Sequence, residues 1–167
     1  MHPTIYLDTT VIIHLTDPPS INPITRACQQ LSQLWWHTRC DPANTFVSSY
    51  VLDEIKSGDP LRATRRLSMV DHLVTLPDHE RMESAWELLL AAGGQRAKSK
   101  SAADHIACAA LNHCEILLTW DCIDIASAQK LPLLRFLVDD DKYFLPELVT
   151  PFELMENSYE AAWRRNP

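Results

Sequence analysis

Short runs of strand-forming residues recur along this chain, each closing on residues that favour a helix start, and that alternation leaves few folds open. Thr4-Ile5-Tyr6-Leu7 is followed at once by Asp8-Thr9-Thr10, whose threonines can cap a helix beginning near Val11. Ile24, Ala27, Cys28, Leu31, Leu34 and Trp35 fall at helical spacing, while Trp36 points off that stripe. After the turn Asp41-Pro42-Ala43-Asn44, a second strand is predicted at Thr45–Ser48, with Ser48 or Ser49 capping a helix from about Tyr50 to Lys56. Ser57-Gly58-Asp59-Pro60 interrupts this helix, a new one runs from Leu61 to Val70, and a minor strand is expected within His72–Leu76. Helical spacing returns at Met82, Ala85, Trp86, Leu89 and Leu90 and closes on Gly93-Gly94. Ser101–Cys114 reads as a helix burying Ala103, Ile106, Ala107, Ala110 and Cys114, and Glu115–Thr119 is the clearest buried strand. A short helix over Ile123–Gln129, a last strand in Leu145–Thr150 and a tail coiled around Trp163 complete the reading.

Strands alternating with helices imply βαβ units. The predicted class is α/β, a three-layer αβα sandwich with a mainly parallel central sheet. A chain of 167 residues is of single-domain size, so residues 1–167 are read as one domain with a short tail from about residue 155. It is long enough to bury a core without disulfides or structural metal.

Composition then removes function classes. The three glycines, Gly58, Gly93 and Gly94, cannot build a dinucleotide fingerprint, a P-loop or a nucleophile elbow. Five cysteines without a CxxC argue against a disulfide framework or a zinc ribbon, and are read as free, mostly buried thiols. With 15 Lys and Arg against 22 Asp and Glu, the net charge of −7 opposes any bulk electrostatic grip on nucleic acid. No basic region followed by an apolar stretch opens the chain and nothing approaches a membrane span, so a cytoplasmic location is expected.

Ligand sites in open α/β sheets lie outside the carboxyl ends of the strands. Asp8 directly follows the first strand, and Asp121 lies two residues beyond Thr119. Glu54 belongs to the opening turns of the helix leaving the second strand, and Asp104 to the first turn of a helix leading into Ile116–Thr119. Four carboxylates therefore converge on one rim. At about 4 Å two like charges repel by roughly 4 kcal/mol at an effective dielectric near 20, so such a rim must hold protons or cations. Hard oxygen ligands suit Mg²⁺ or Mn²⁺, the apparatus of phosphodiester hydrolysis. Arg96, Lys98 and Lys100 precede Asp104 and are candidate RNA contacts, with a solvated loop as the alternative. Arg62, Arg65 and Arg66 similarly mark a candidate substrate or partner surface.

Each acid also has a plainer reading. Ser101-x-x-Asp104 is a capping-box variant, Asp8 can itself be an N-cap, Asp121 can open a turn, and Glu54 can lie on a solvated helix face. His105 and Cys108, three apart on one helix, can share a zinc. His113 and Cys114 turn away from them, so packing is the preferred reading. Asp139-Asp140-Asp141 lacks the glycine and glutamate of a calcium loop and is read as solvated.

The pieces Ile5-Tyr6-Leu7-Asp8-Thr9-Thr10-Val11-Ile12-Ile13, Ser49-Tyr50-Val51-Leu52-Asp53-Glu54-Ile55, Ala102-Ala103-Asp104-His105-Ile106-Ala107-Cys108-Ala109-Ala110 and Leu117-Leu118-Thr119-Trp120-Asp121 resemble, in that order, the PIN-domain ribonucleases. Val149-Thr150-Pro151-Phe152-Glu153 extends the likeness, which is greatest to the VapC-type toxins of toxin–antitoxin pairs. The resemblance implies that Asp8, Glu54, Asp104 and Asp121 bind catalytic Mg²⁺ or Mn²⁺. It also implies that Thr10 supports the site, that Thr119 opens a T-x-D motif and that Asp124 is a further candidate acid. The implied function is a metal-dependent endoribonuclease that leaves a 5′-phosphate and a 3′-hydroxyl. It would form a homodimer and be inhibited by a small protein antitoxin from an adjacent gene. Two alternatives stand beside it. One is a catalytically silent PIN-like module that binds RNA or protein. The other is an aspartate-dependent phosphatase, which Thr10 disfavours by occupying the place of its second aspartate.

Overall fold

The computed structural model describes residues 3–83, 85, 87, 99–128, 131–132, 135 and 144–155. Five strands, β1 (Ile5–Leu7), β2 (Thr45–Ser48), β3 (Val74–Leu76), β4 (Ile116–Leu118) and β5 (Glu147–Val149), form one sheet in the order β3-β2-β1-β4-β5. Every pairing is parallel, with Ile5 opposite Thr45 and Ile116, Ser48 opposite Leu76, and Leu118 opposite Val149. Helices flank the sheet: α1 (Thr9–Thr16), α2 (Pro23–Thr38), α3 (Ser49–Lys56), α4 (Pro60–Val70) and α5 (Ser99–Leu111). The architecture is the expected αβα sandwich. No helix among the described residues is long and apolar enough to cross a membrane.

Strand order reverses beside β1: the chain steps outward to β2 and β3, then returns to lay β4 on the other side of β1. The crevice outside the carboxyl ends of β1 and β4 is thus where a fold of this kind places a ligand. β1 is central, and Ile5, Tyr6 and Leu7 are all buried, as a strand covered on both faces requires.

Local chemistry explains the element boundaries, including those the sequence misplaces. The first helix begins at Thr9 rather than near Val11, because Asp8 itself is the N-cap and accepts from the Thr10 amide at 3.2 Å. Ser48 caps α3, and Asp59 caps α4 with Pro60 as its first residue. Gly58 joins these helices at φ +88°, a conformation open to glycine. α5 starts at Ser99 and stops at Leu111, three residues short of the expected Cys114. His113 adopts φ 54° and the Cys114 amide turns back to Ala109 O at 2.9 Å, a left-handed C-terminal cap. Ile123–Gln129 does not form the expected helix over its described part. Asp121 instead gathers the amides of Ile123 and Asp124 on its side chain and those of Ile125 and Ala126 on its carbonyl.

α2 is also rotated from its expected setting. Trp35 is buried as predicted, yet Ile24 is 75% exposed and Leu34 43%, while Gln29 and Ser32 face inward. Gln29 holds the 17–20 loop through Pro18 O and the Ser20 amide, and Ser32 Oγ accepts the Trp120 indole N–H at 2.7 Å. The arginines of α4 serve the fold. Arg66 and Arg62 meet Asp17 at 3.0 and 3.5 Å, and Arg65 donates to Thr16 O at the end of α1. Trp86, Leu89, Leu90, Gly93-Gly94, Asp139–Asp141 and Trp163 lie outside the described residues.

Candidate metal centre

Asp8, Glu54 and His105 meet where the carboxyl ends of β1 and β2 face α5, and one ligand atom from each lies within 4.8 Å of the others. Asp8 and His105 are each 2% exposed, whereas the Glu54 side chain is 35% exposed and forms the open side of the group. Asp8 divides its oxygens between scaffold and site, whereas both Glu54 oxygens accept a hydroxyl. Asp8 Oδ2 accepts from the Thr10 amide, the Thr10 hydroxyl and, at 2.7 Å, the Thr119 hydroxyl. Asp8 Oδ1 is left facing His105 Nε2 at 3.5 Å. Glu54 Oε1 accepts from Ser101 Oγ, while Oε2 accepts from Thr9 Oγ1 and lies 3.1 Å from His105 Nε2.

Behind the imidazole runs a buried chain of polar groups. Tyr6 Oη is 2.7 Å from His105 Nδ1 and 2.7 Å from Ser48 Oγ. Tyr6 belongs to β1, Ser48 closes β2 and His105 comes from the second turn of α5, so the chain crosses from the sheet to the helix above it. Burial is the largest influence on the Tyr6 hydroxyl and raises its pKa well above the ordinary value, so it stays protonated.

Electrostatics bind the group together. Burial on its own would raise the Glu54 carboxyl. The hydrogen bond and charge of His105, with the Ser101 and Thr9 hydroxyls, outweigh it and pull the pKa down to about 2. Burial likewise pushes His105 down, but its hydrogen bond to Glu54 and the charges of Asp8, Glu54 and Asp104 carry it above the ordinary value. The carboxylates here favour the imidazole between them in its charged form.

The donor set fits a small divalent cation. It offers two carboxylate oxygens and one imidazole nitrogen, and the N···O separations of 3.1 and 3.5 Å are close to the roughly 3 Å between neighbouring donors each about 2.1 Å from one ion. Thr10 and Thr119 both donate their hydroxyls to the Asp8 carboxylate. Thr10 Oγ1 also accepts the Trp120 amide, and Thr119 Oγ1 accepts the Asp121 amide at 2.9 Å.

The remaining acids stand apart from this group. Asp104 is half-buried next to His105 in sequence, and its charge is felt by His105 and Tyr50, but it is not one of the three clustered ligands. Asp121 spends Oδ1 on the 122–124 turn, and half-buried Asp124 contributes its amide to the same turn. Arg96, Lys98 and the Lys100 side chain lie outside the described residues. His105 is the residue whose place sequence reasoning does not find. Cys108, its proposed zinc partner, is a buried thiol pushed up to about 11, chiefly by burial, and is not among the clustered donors. One signal was available: Ser101 and His105 are one helical turn apart, and both reach Glu54.

No protein-family model matches the chain, and no curated protein matches its sequence.

Proposed function

We propose that the protein is a divalent-cation-dependent ribonuclease of the PIN type, hydrolysing RNA phosphodiester bonds at the carboxyl edge of its sheet. The observation that carries this reading is the buried Asp8–Glu54–His105 group at that edge. Its support from sequence is the ordered set of pieces around Asp8, Glu54, Asp104 and Asp121.

Asp8, Glu54 and His105 would hold the ion, Mg²⁺ or Mn²⁺. When bound it supplies Lewis acidity toward a phosphoryl oxygen and toward the attacking water. The chain's own groups set the rest. Thr10 and Thr119 fix the Asp8 carboxylate by one oxygen, and Ser101 and Thr9 fix Glu54, so neither must reorganise when charge builds on the phosphorus oxygens. The exposed side of Glu54 is the approach for substrate. The VapC-like reading carries with it a homodimer and a small inhibitory antitoxin. The exposure of Ile21 (103%), Ile24 (75%) and Leu34 (43%), in and beside α2, supports an apolar contact surface.

Purified protein should cleave single-stranded RNA with Mg²⁺ or Mn²⁺ and stop on adding EDTA, and Asp8→Asn should remove most of the activity. Cleavage that survives both chelation and this substitution would reject the assignment. A second reading is a silent binding module, favoured by the engagement of Asp121 in its own turn. It predicts RNA retention without cleavage under the same conditions.

A further inference from the structure

Mg²⁺ sites of phosphodiester hydrolases are built from oxygen, and nitrogen is a poor ligand for that ion. Here a nitrogen is one of the three clustered donors. His105 Nε2 faces Asp8 Oδ1 at 3.5 Å and Glu54 Oε2 at 3.1 Å, and the residue is 2% exposed. The opposite ring nitrogen is engaged by Tyr6 Oη at 2.7 Å, on a residue that is 0% exposed and pinned in turn by Ser48 at 2.7 Å.

Such an arrangement is what an imidazole ligand requires. One ring nitrogen takes a partner that fixes ring orientation and tautomer, leaving the other for an ion. A tyrosine hydroxyl suits the task because it both donates and accepts. It can accept a hydrogen bond from Nδ1–H when Nε2 offers its lone pair to a cation, while donating its own hydroxyl to Ser48 Oγ. A serine or water would do the same with less constraint, but Tyr6 is locked in the central strand of the sheet.

We infer that His105 Nε2 is a direct nitrogen ligand of the bound cation, held in place by Tyr6 as a positioning residue, and that the site therefore prefers a transition ion such as Mn²⁺ over Mg²⁺. This rests on the cation-site reading above and names which ion that site selects. Asp8 and Glu54 alone would accept either ion, and the imidazole supplies the discrimination.

The test uses full-length protein with Mn²⁺ alone as the probe. Mn²⁺ binding is followed by the loss of the free-ion electron paramagnetic resonance signal, Mg²⁺ by its competition, and ligand identity by nitrogen modulation of the electron spin echo. Wild-type protein should bind Mn²⁺ at least about tenfold more tightly than Mg²⁺ and show imidazole nitrogen modulation. His105→Gln should abolish the modulation and bring the two affinities together. Tyr6→Phe should keep the native circular dichroism spectrum yet weaken Mn²⁺ binding by about 10–100-fold, with less effect on Mg²⁺.

Mn²⁺ bound without nitrogen modulation would overturn the inference while leaving an oxygen-only nuclease site intact. Modulation that Tyr6→Phe leaves unchanged in strength and affinity would remove Tyr6 from the role. If wild type binds neither ion at millimolar concentration, the inference and the nuclease reading both fail. RNA cleavage measured on the same preparations separates these cases.

Discussion

Thr119 donates its hydroxyl proton to Asp8 Oδ2 over 2.7 Å, and this bond joins the carboxyl ends of β1 and β4 at the point where strand order reverses. Both residues are buried, and the Thr119 oxygen also receives the Asp121 amide. One hydroxyl therefore orients an acid of the site and starts the turn beyond β4. Thr119→Val keeps the shape but deletes the donor to a charged acceptor. It should destabilise the fold by about 1.5–3 kcal/mol, read from urea denaturation, with Thr119→Ser costing clearly less. An unchanged denaturation midpoint in Thr119→Val would show that this hydroxyl bond adds nothing net to stability.

Asp8 combines an N-cap with a place in the cation group. Asparagine caps a helix about as well as aspartate but brings no charge. Asp8→Asn should therefore leave the protein folded in EDTA and lose most of the rise in melting temperature that Mn²⁺ gives wild type through binding to the native state. Differential scanning fluorimetry over a Mn²⁺ series would show it. An undiminished rise in the variant would place the ion elsewhere.

The metal-free protein should be most stable over a narrow pH range. Glu54 has a folded pKa near 2, below its unfolded value of about 4.3, so its contribution is full above that value and is lost as pH falls through the folded one. His105 is shifted the other way. Its contribution is full below about 6.5 and is lost as pH rises through its raised folded value. Melting temperature in EDTA should thus peak at about pH 5–6.5 and fall on both sides. Glu54→Gln should flatten both limbs, because it removes the acid and the principal partner of the imidazole together. An alkaline limb that persists unchanged in that variant would show that another group carries it.

Asp17 receives two arginines of unequal worth. Arg66 is largely buried, with its side chain 11% exposed and its Nε lacking a hydrogen-bond partner among the described residues, while the Arg62 side chain is 53% exposed. Arg62→Ala should cost less than about 1 kcal/mol. Arg66→Ala should cost more, about 1–3 kcal/mol, because it removes packing between α4 and α1 as well as charge. Comparable denaturation midpoints for the two variants would contradict this ranking.

What the sequence shows and what it hides follow from the range of the interactions involved. Asp8 and Glu54 are legible because each follows a strand that its own β-branched and aromatic neighbours announce. α5 reads as helix for the same local reason. His105 is hidden because its partners lie on β1 and α3, and helical spacing alone sorts it with the buried alanines around it. α2 turns inward a face that its apolar spacing does not predict, because that face carries Gln29 and Ser32, whose partners are loop backbone and the Trp120 indole. No count of apolar residues reveals that. The short helix after β4 failed where Asp121, a residue suited to turns, took the following amides for itself.

The sequence separation of these contacts has a consequence for the chain as it is made. Asp8 and Thr119 are 111 residues apart, and Glu54 and His105 are 51 apart. At about 5–20 residues per second, Thr119 follows Asp8 out of the ribosome by roughly 5–20 s. Between the emergence of Glu54 and that of His105, the nascent chain carries both acids with neither the imidazole nor the Thr119 hydroxyl that place them. A chain stalled short of Ser101 owns two acids and no site. Assembly of the centre is thereby tied to the emergence of α5 and β4, a timing written into the order of the strands.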